Sequence, residues 1–342
     1  MKAAVFKGPR SIQVTEVPSP ALAPSEAVIR VHRCGLCGTD SHIWQGLFPI
    51  EATPRILGHE FSGELVEVGT ESQDLTVGAR VVADINIGCG FCNYCQRGRR
   101  LQCRRLRQIG VHLDGAFAEL VKVPLDSVRV VPKDLSYETA ALVEPLSCAI
   151  HGQERVAIEP GEVVVVLGCG PMGLMHCMLS RLRGASVLIA SEVNELRRDF
   201  AVAAGADRSV GASVEEIKAA LNEEAGLDGA DVVIEAVGAP ATYESALRLT
   251  RPGGRVLFFG AAPTGSAVEV EPFDIYRREL SLIGSYAGSY GSWLDAISLL
   301  ESRRLPITDF VTSVVPLDTL PEALNAIATD PGAIKIQVSF GS

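Results

Sequence analysis

The run Val163-Val-Val-Val-Leu167 passes directly into Gly168-Cys-Gly-Pro-Met-Gly173, and no other stretch constrains the fold of this chain as strongly. A short β-branched run bounded by glycine reads as a buried strand, and Pro171 suits the first turn of a helix that follows. Gly-x-Gly-x-x-Gly is weak evidence alone. Between a strand and a helix it becomes the turn on which a dinucleotide pyrophosphate rests, the glycines allowing the backbone to approach it. Glu192 closes the next apolar run, Val187-Leu-Ile-Ala-Ser191, where a carboxylate can bind both ribose hydroxyls. A dinucleotide site is therefore expected at Gly168, Gly170, Pro171, Met172, Gly173 and Glu192. The carboxylate of Glu192 would repel a 2′-phosphate and favours NAD over NADP, whereas Arg197 and Arg198 keep NADP open. The later turns Glu235-Ala-Val-Gly238 and Phe258-Phe-Gly260 end strands at the same sheet edge and place Val237 and Gly260 by the nicotinamide half.

Around this junction the texture alternates. Strands are expected at 163–167, 187–190, 231–234 and 255–259, with helices at 171–183, 194–204 and 241–249, which is the pattern of a parallel α/β sheet. Residues 1 to about 150 read differently, as short runs such as Ala27–Val31, Gly63–Val68 and Arg80–Ala83 punctuated by Gly and Pro. That part is expected to be β-rich. Beyond the strand at 280–283, an amphipathic segment near 292–302, the run Val311–Leu317, a helix from about 319 and the strand Ile334–Val338 complete the chain. A length of 342 residues suits about two domains. We divide them as 1–150, 151–285 and a returning segment, 286–342.

A net charge of −10 disfavours a nucleic-acid partner, because phosphate backbones are repelled at long range. Val163–Ser180 lacks acidic and strongly basic side chains, but its central glycines and proline split it into soluble elements, so no membrane span is expected. The start, MKAAVFKGPR, has no apolar core of signal length, and the cytoplasm is the expected location.

Nine cysteines, an odd number clustered mostly before residue 104, suit thiolate ligands better than disulfides. Cys89, Cys92, Cys95 and Cys103 lie close enough in sequence to close a tetrahedron around one Zn²⁺, and a closed four-thiolate shell is structural. The lobe spans about 88–104. Unliganded thiols, or a nucleic-acid knuckle suggested by Arg97, Arg99, Arg100, Arg104, Arg105 and Arg107 with Phe91 and Tyr94, are the competing readings. A second set, Cys34-Gly-Leu-Cys37-Gly-Thr-Asp40 with Gly58-His59-Glu60, mixes thiolate, imidazole and carboxylate, as catalytic zinc sites with an open position do. His59 and Glu60 are adjacent, so joint ligation needs a bend that Gly58 permits. Asp40 is better placed to hold a ligand imidazole than to ligate. Glu144, a lone carboxylate in the apolar run Ala-Leu-Val-Glu-Pro-Leu, needs a cation or strong partner if buried, and otherwise reads as a helix-start acid.

With these motifs in order, the chain resembles the zinc-dependent medium-chain alcohol dehydrogenase family over essentially its whole length, and Glu144-Pro-Leu-Ser with His59-Glu60 looks like its polyol branch. The resemblance implies a GroES-like β-rich catalytic domain built from both chain ends, a doubly wound Rossmann domain between them, and an active site in the cleft. It implies two zinc ions per chain. Cys37, His59 and Glu60 would hold the catalytic one, with Glu144 as a direct, alternating or water-bridged partner. Thr39 would take the substrate hydroxyl proton and His42 would pass it to solvent through the cofactor ribose. Hydride transfer between a secondary alcohol, polyol or sugar-like substrate and NAD is the implied activity. Threonine, amino-alcohol and sugar-phosphate dehydrogenases on the same scaffold are alternatives, and so is a non-catalytic NAD-binding protein. A homotetramer is implied first and a dimer second. Relatives in this branch tend to carry an arginine just after the strand ending near Gly284, but Gly284-Ser-Tyr-Ala-Gly-Ser-Tyr-Gly-Ser-Trp293 has no cation.

Overall fold

The computed structural model describes residues 1–341. The chain divides into two compact units, residues 1–147 with 287–342, and residues 148–286.

In the second unit six strands form one parallel sheet in the spatial order Arg208–Val210, Val187–Ser191, Val163–Leu167, Ala230–Glu235, Thr250–Phe258 and Ser281–Gly284. The chain therefore starts in the middle, runs outward to one edge, returns and runs to the other, which is the doubly wound dinucleotide-binding order. Val163–Leu167 is buried at every position, as a strand covered by helices on both faces must be. Val163, Val165 and Leu167 pack on Ile189, Ile217, Leu221, Val233 and Leu249. The helix Pro171–Leu182 opens directly after the glycine turn with Pro171 in its first turn, and places Gly168 to Gly173 at the point where strand order reverses.

Three elements of this unit go beyond the sequence reading, one of them the helix Pro272–Arg278 ahead of the edge strand. The strand Arg208–Val210 and the helix Val214–Ala225 occupy the stretch between the helix Glu195–Ala203 and the strand Ala230–Glu235. Ser213 caps that helix by accepting from the Glu216 amide at 3.2 Å.

The first unit holds a seven-stranded sheet assembled from both chain ends. Its order is Val128–Val130, Arg80–Ala83, Glu60–Val68, Glu26–Gly35, Lys335–Ser339 and Val311–Pro316, with Leu120–Pro124 also paired to Glu26–Gly35. Antiparallel register sets Gly35 opposite Glu60 on one side and opposite Gln337 on the other. This brings the C-terminal strand beside residues that lie far away in sequence. The helix Val143–Val156 holds Glu144 in its opening turn, in keeping with the reading of that residue as a helix-start acid, and runs further than the few stretches of helical period expected before residue 150. Pro145 sits in its first turn, where its missing N–H leaves no helical bond unmade. No helix among the described residues is long and apolar enough to cross a membrane.

Candidate metal centres and cofactor site

Cys37 caps the helix Gly38–Gln45, and Asp40 in its first turn accepts the Cys37 N–H at 3.0 Å. The other oxygen of Asp40 accepts the Gly58 N–H at 3.2 Å and stands 3.5 Å from His59 Nδ1. One fully buried carboxylate thus ties the Cys37 turn to the His59 turn. Gly58 has φ +90°, a left-handed conformation in which a Cβ would also press on Phe117. The bend required for His59 and Glu60 to face one point is made there. As a result one ligand atom each from Cys37, His59 and Glu60 lies within 4.8 Å of the others. Burial alone would lower the His59 imidazole, yet Asp40 and Cys37 outweigh it and hold the ring well above its ordinary value.

Glu144 lies outside that set of three. It is buried in the first turn of Val143–Val156, and its carbonyl accepts from Ser147 Oγ at 2.7 Å. Thr39 and His42 are three residues apart on Gly38–Gln45, a spacing that puts them on one face, and run from half-buried to exposed. Cys34 is fully buried and its thiol is pushed well above the ordinary range by burial, so it packs as a small apolar side chain. His32 stacks on Tyr137 and His176 is buried against Phe259.

The sequence reading missed Lys335. This lysine is buried, forms an ion pair with Glu60 Oε2, and donates from Nζ to the Leu36 carbonyl at 3.0 Å. Burial alone would lower its ammonium, but Glu60, Cys37 and Glu144 outweigh that effect and hold it above the usual lysine range. A lone cation in the apolar strand Ile334-Lys-Ile-Gln-Val338 was the available signal, since such a side chain is seldom buried without a partner.

The missing cation after Gly284 has a steric counterpart. Gly288 is buried, and a Cβ there would overlap Ser147 Oγ and stand 3.0 Å from Ser147 Cβ. A long side chain at this position would require Ser147 to move.

In the lobe, the sulfurs of Cys89, Cys92, Cys95 and Cys103 all lie within 4.8 Å of one another. Cys92 Sγ and Cys103 Sγ are 3.8 Å apart, against an edge of about 3.8 Å for a tetrahedron with Zn–S of ~2.3 Å. Amides of Cys89 and Arg105 donate to Cys103 Sγ at 3.4 and 3.3 Å, and the Cys89 amide above all draws that thiol below its ordinary value. The donor chemistry and spacing fit zinc. Among the lobe arginines, Arg100 reaches Asp126 and Asp84 at 3.1 and 3.5 Å, and Arg105 lies over Phe91.

At the cofactor turn, Gly168 has φ +92°, and a Cβ on Gly173 would collide with the Gly168 carbonyl. Gly170 opens onto free space, while Pro171 and Met172 are half-buried in the first turn. Glu192 is buried, with one oxygen accepting the Cys169 amide at 2.9 Å and the other the Asn194 amide at 3.0 Å. A carboxylate offers about four lone-pair sites, so two remain for ribose hydroxyls. Arg198 spends its guanidinium on the carbonyls of Glu192 and Val193 at 2.7 and 3.3 Å. Arg197, half-buried, donates its amide to Asn194 Oδ1 at 3.3 Å.

Glu235 orders the turns at the far end. It is fully buried and accepts from the amides of Val237 and Gly238 at 2.9 and 2.8 Å and from Thr242 Oγ1 at 2.7 Å. A Cβ on Gly260 would overlap the Gly238 amide nitrogen and Glu235 Oε2, and the Gly260 carbonyl accepts from the Tyr243 hydroxyl at 2.5 Å.

Comparison with known proteins agrees with this anatomy. Residues 23–133 match the family described as alcohol dehydrogenase GroES-like domain, and residues 171–302 match zinc-binding dehydrogenase. D-arabinitol dehydrogenase 1 of Uromyces fabae is 34% identical, covering 96% of this chain and 94% of the relative. Sorbitol dehydrogenase of Bacillus subtilis (strain 168) is 33% identical, covering 95% and 94%. A Sinorhizobium meliloti 1021 protein described as a zinc-binding dehydrogenase and solved bound to NADP superposes with a TM-score of 0.92 at 37% identity, covering 99% of each chain. The chain belongs to the zinc-dependent medium-chain alcohol dehydrogenase family, with a GroES-like domain and a Rossmann domain, and is an oxidoreductase that works with zinc and a nicotinamide cofactor.

Proposed function

We propose that this enzyme oxidises a secondary alcohol of a polyol or sugar-like compound, with NAD as hydride acceptor and with one catalytic and one structural zinc per chain. The convergence of Cys37, His59 and Glu60 within 4.8 Å carries the reading, because it offers three mixed ligands and leaves a fourth position open. Zinc, when bound there, supplies a Lewis acid that lowers the pKa of a substrate hydroxyl. The nicotinamide supplies the hydride acceptor.

The remaining chemistry belongs to the chain's own side chains. Asp40 orients His59 through Nδ1 and fixes the Cys37 turn. Thr39 Oγ1 takes the hydroxyl proton as it releases its own, and His42, exposed on the same helix face, passes a proton on to solvent. Glu144 acts at the metal as a direct, alternating or water-bridged partner. The Cys89, Cys92, Cys95 and Cys103 shell is closed to substrate and stabilises its lobe.

Preference for NAD is supported by Glu192, whose buried carboxylate at the end of its strand would repel a 2′-phosphate, and by Arg198, already committed to two carbonyls. Self-association, as a homotetramer ahead of a dimer, is part of this reading, and apolar side chains exposed on the second unit offer surfaces for it. Phe273, Tyr276 and Leu282 are examples, the last on the edge strand Ser281–Gly284. A cytoplasmic location accords with the wealth of thiols.

The deciding experiment is NADH formation by the zinc-loaded protein across sugar alcohols, inositols, diols, threonine, sugar phosphates and simple secondary alcohols, repeated with NADP and after chelation. Chelator-sensitive turnover of a polyol, faster with NAD, is the expected result. Exclusive turnover of threonine or a sugar phosphate would overturn the substrate class, and faster NADP reduction would overturn the cofactor assignment. Metal and NAD binding without any turnover would favour a non-catalytic protein.

A further inference from the structure

We propose that Lys335 is a positioning residue for Glu60: by holding Oε2 it limits the carboxylate to one oxygen towards the metal and keeps the fourth position open to substrate. The proposal rests on the reading that Cys37, His59 and Glu60 bind the catalytic metal.

Three observations carry it. The Lys335–Glu60 pair is sealed from water, with side chains 4% and 1% exposed, so its strength is not spent on solvent. Lys335 is fixed independently, because Nζ also donates to the Leu36 carbonyl at 3.0 Å, one residue before Cys37. A slot is built for the pair: Gly35 faces Glu60 across one strand pair and Gln337 across the other, and a Cβ on Gly35 would overlap Glu60 Oε2 and stand 3.2 Å from Lys335 Cε.

Stability alone is a poor account of this arrangement. A buried ion pair contributes little beyond what apolar residues of similar volume give. Here the lysine faces the carboxylate of Glu60 and is also under the influence of Cys37 and Glu144. Without the lysine, a metal cation would be the remaining counter-charge for Glu60, which would turn both oxygens to it. The metal would be held more tightly and the substrate position obstructed.

The test uses full-length protein with zinc in the four-cysteine lobe and Co(II) in the three-residue site. In Lys335→Met, the Co(II) d–d bands are expected to change in position and intensity, and loss of Co(II) to a chelator to slow about tenfold. The rise in Tm on loading Co(II) is expected to exceed that of the wild type. A merely structural lysine would lower Tm equally with and without Co(II). Lys335→Gln, which keeps a donor for the Leu36 carbonyl, provides the same readings should the methionine variant fail to fold. In a Glu60→Gln background the lysine substitution is expected to leave Co(II) release unchanged. An unaltered spectrum and release rate in both lysine variants, or an effect that persists without Glu60, overturns the role of Lys335 alone. Failure of the wild type to take up Co(II) outside the lobe overturns the metal reading and the proposal with it.

Discussion

Asp40 Oδ1 lies 3.5 Å from His59 Nδ1 while the same carboxylate accepts the backbone N–H groups of Cys37 and Gly58, so a single buried side chain sets the geometry of two candidate ligands. Asp40→Ala strands two amide donors and the imidazole. We expect metal affinity at the catalytic site to fall by about 10- to 100-fold. Stability should fall by roughly 2–4 kcal/mol, the cost of leaving those donors unsatisfied. Competition with a chelator, read by metal analysis, and denaturant titration measure the two effects. Unchanged metal retention would show that His59 is oriented by something else.

The two cysteine-bearing centres are expected to separate on substitution. Cys37→Ser should lower zinc from about two per chain to about one and abolish alcohol oxidation while leaving Tm nearly unchanged. Cys92→Ser should also remove one zinc, but with a marked fall in Tm, because a closed thiolate shell contributes directly to folding of its lobe. Metal analysis beside thermal melts distinguishes them. Equal losses of Tm would mean that both centres are structural.

Glu192 serves two masters in the structure, the fingerprint turn through the Cys169 amide and the following turn through the Asn194 amide. Glu192→Ser removes the carboxylate proposed to oppose a 2′-phosphate and takes the acceptor from both turns. The ratio of kcat/KM for NADP over NAD is expected to rise by about 10- to 100-fold, with KM for NAD itself increased. Initial rates with both cofactors check this. A variant that retains the wild-type ratio would place cofactor choice elsewhere.

Much of the Rossmann unit was legible because its signals are local. Val163–Leu167 is a continuous β-branched run, and Pro171 and the three glycines mark the turn within a few residues. Candidate ligands were legible by residue type and spacing. The extent of the helix Val143–Val156 was hidden by Pro145 and Gly152, which mimic loop punctuation although the first stands in the opening turn and the second packs near Phe259 and His176. Lys335 was hidden for a deeper reason. Its partner depends on the register of three strands that meet at Gly35, and no window of sequence contains both Glu60 and Lys335. Glu235 was visible only as part of a turn, whereas its function as an acceptor for Val237, Gly238 and Thr242 arises from its burial.

His176 contributes a loss of stability to the second unit on the acid side. It is fully enclosed beside Gln153 and Phe259, and burial pushes its imidazole down to about 3 from an ordinary 6.5. In the unfolded chain the ring takes up a proton near its ordinary value, so between those limits the unfolded state binds more protons than the folded one. The stabilisation is complete above pH 6.5 and is lost as pH falls towards 3. At pH 4.5 the loss attributable to this ring is about 3 kcal/mol, at 1.36 kcal/mol per pKa unit. His176→Asn keeps a polar group near Gln153 but cannot titrate. Its overall stability should be lower at neutral pH, yet its fall in stability between pH 6.5 and 4.5 should be smaller than that of the wild type by about that amount. Urea unfolding of both proteins at the two pH values, with saturating zinc excluded as a variable by matched metal analysis, measures the difference. Parallel losses in the two proteins would mean that His176 is protonated within the folded chain, and the enclosure around it would then have to open at mildly acidic pH.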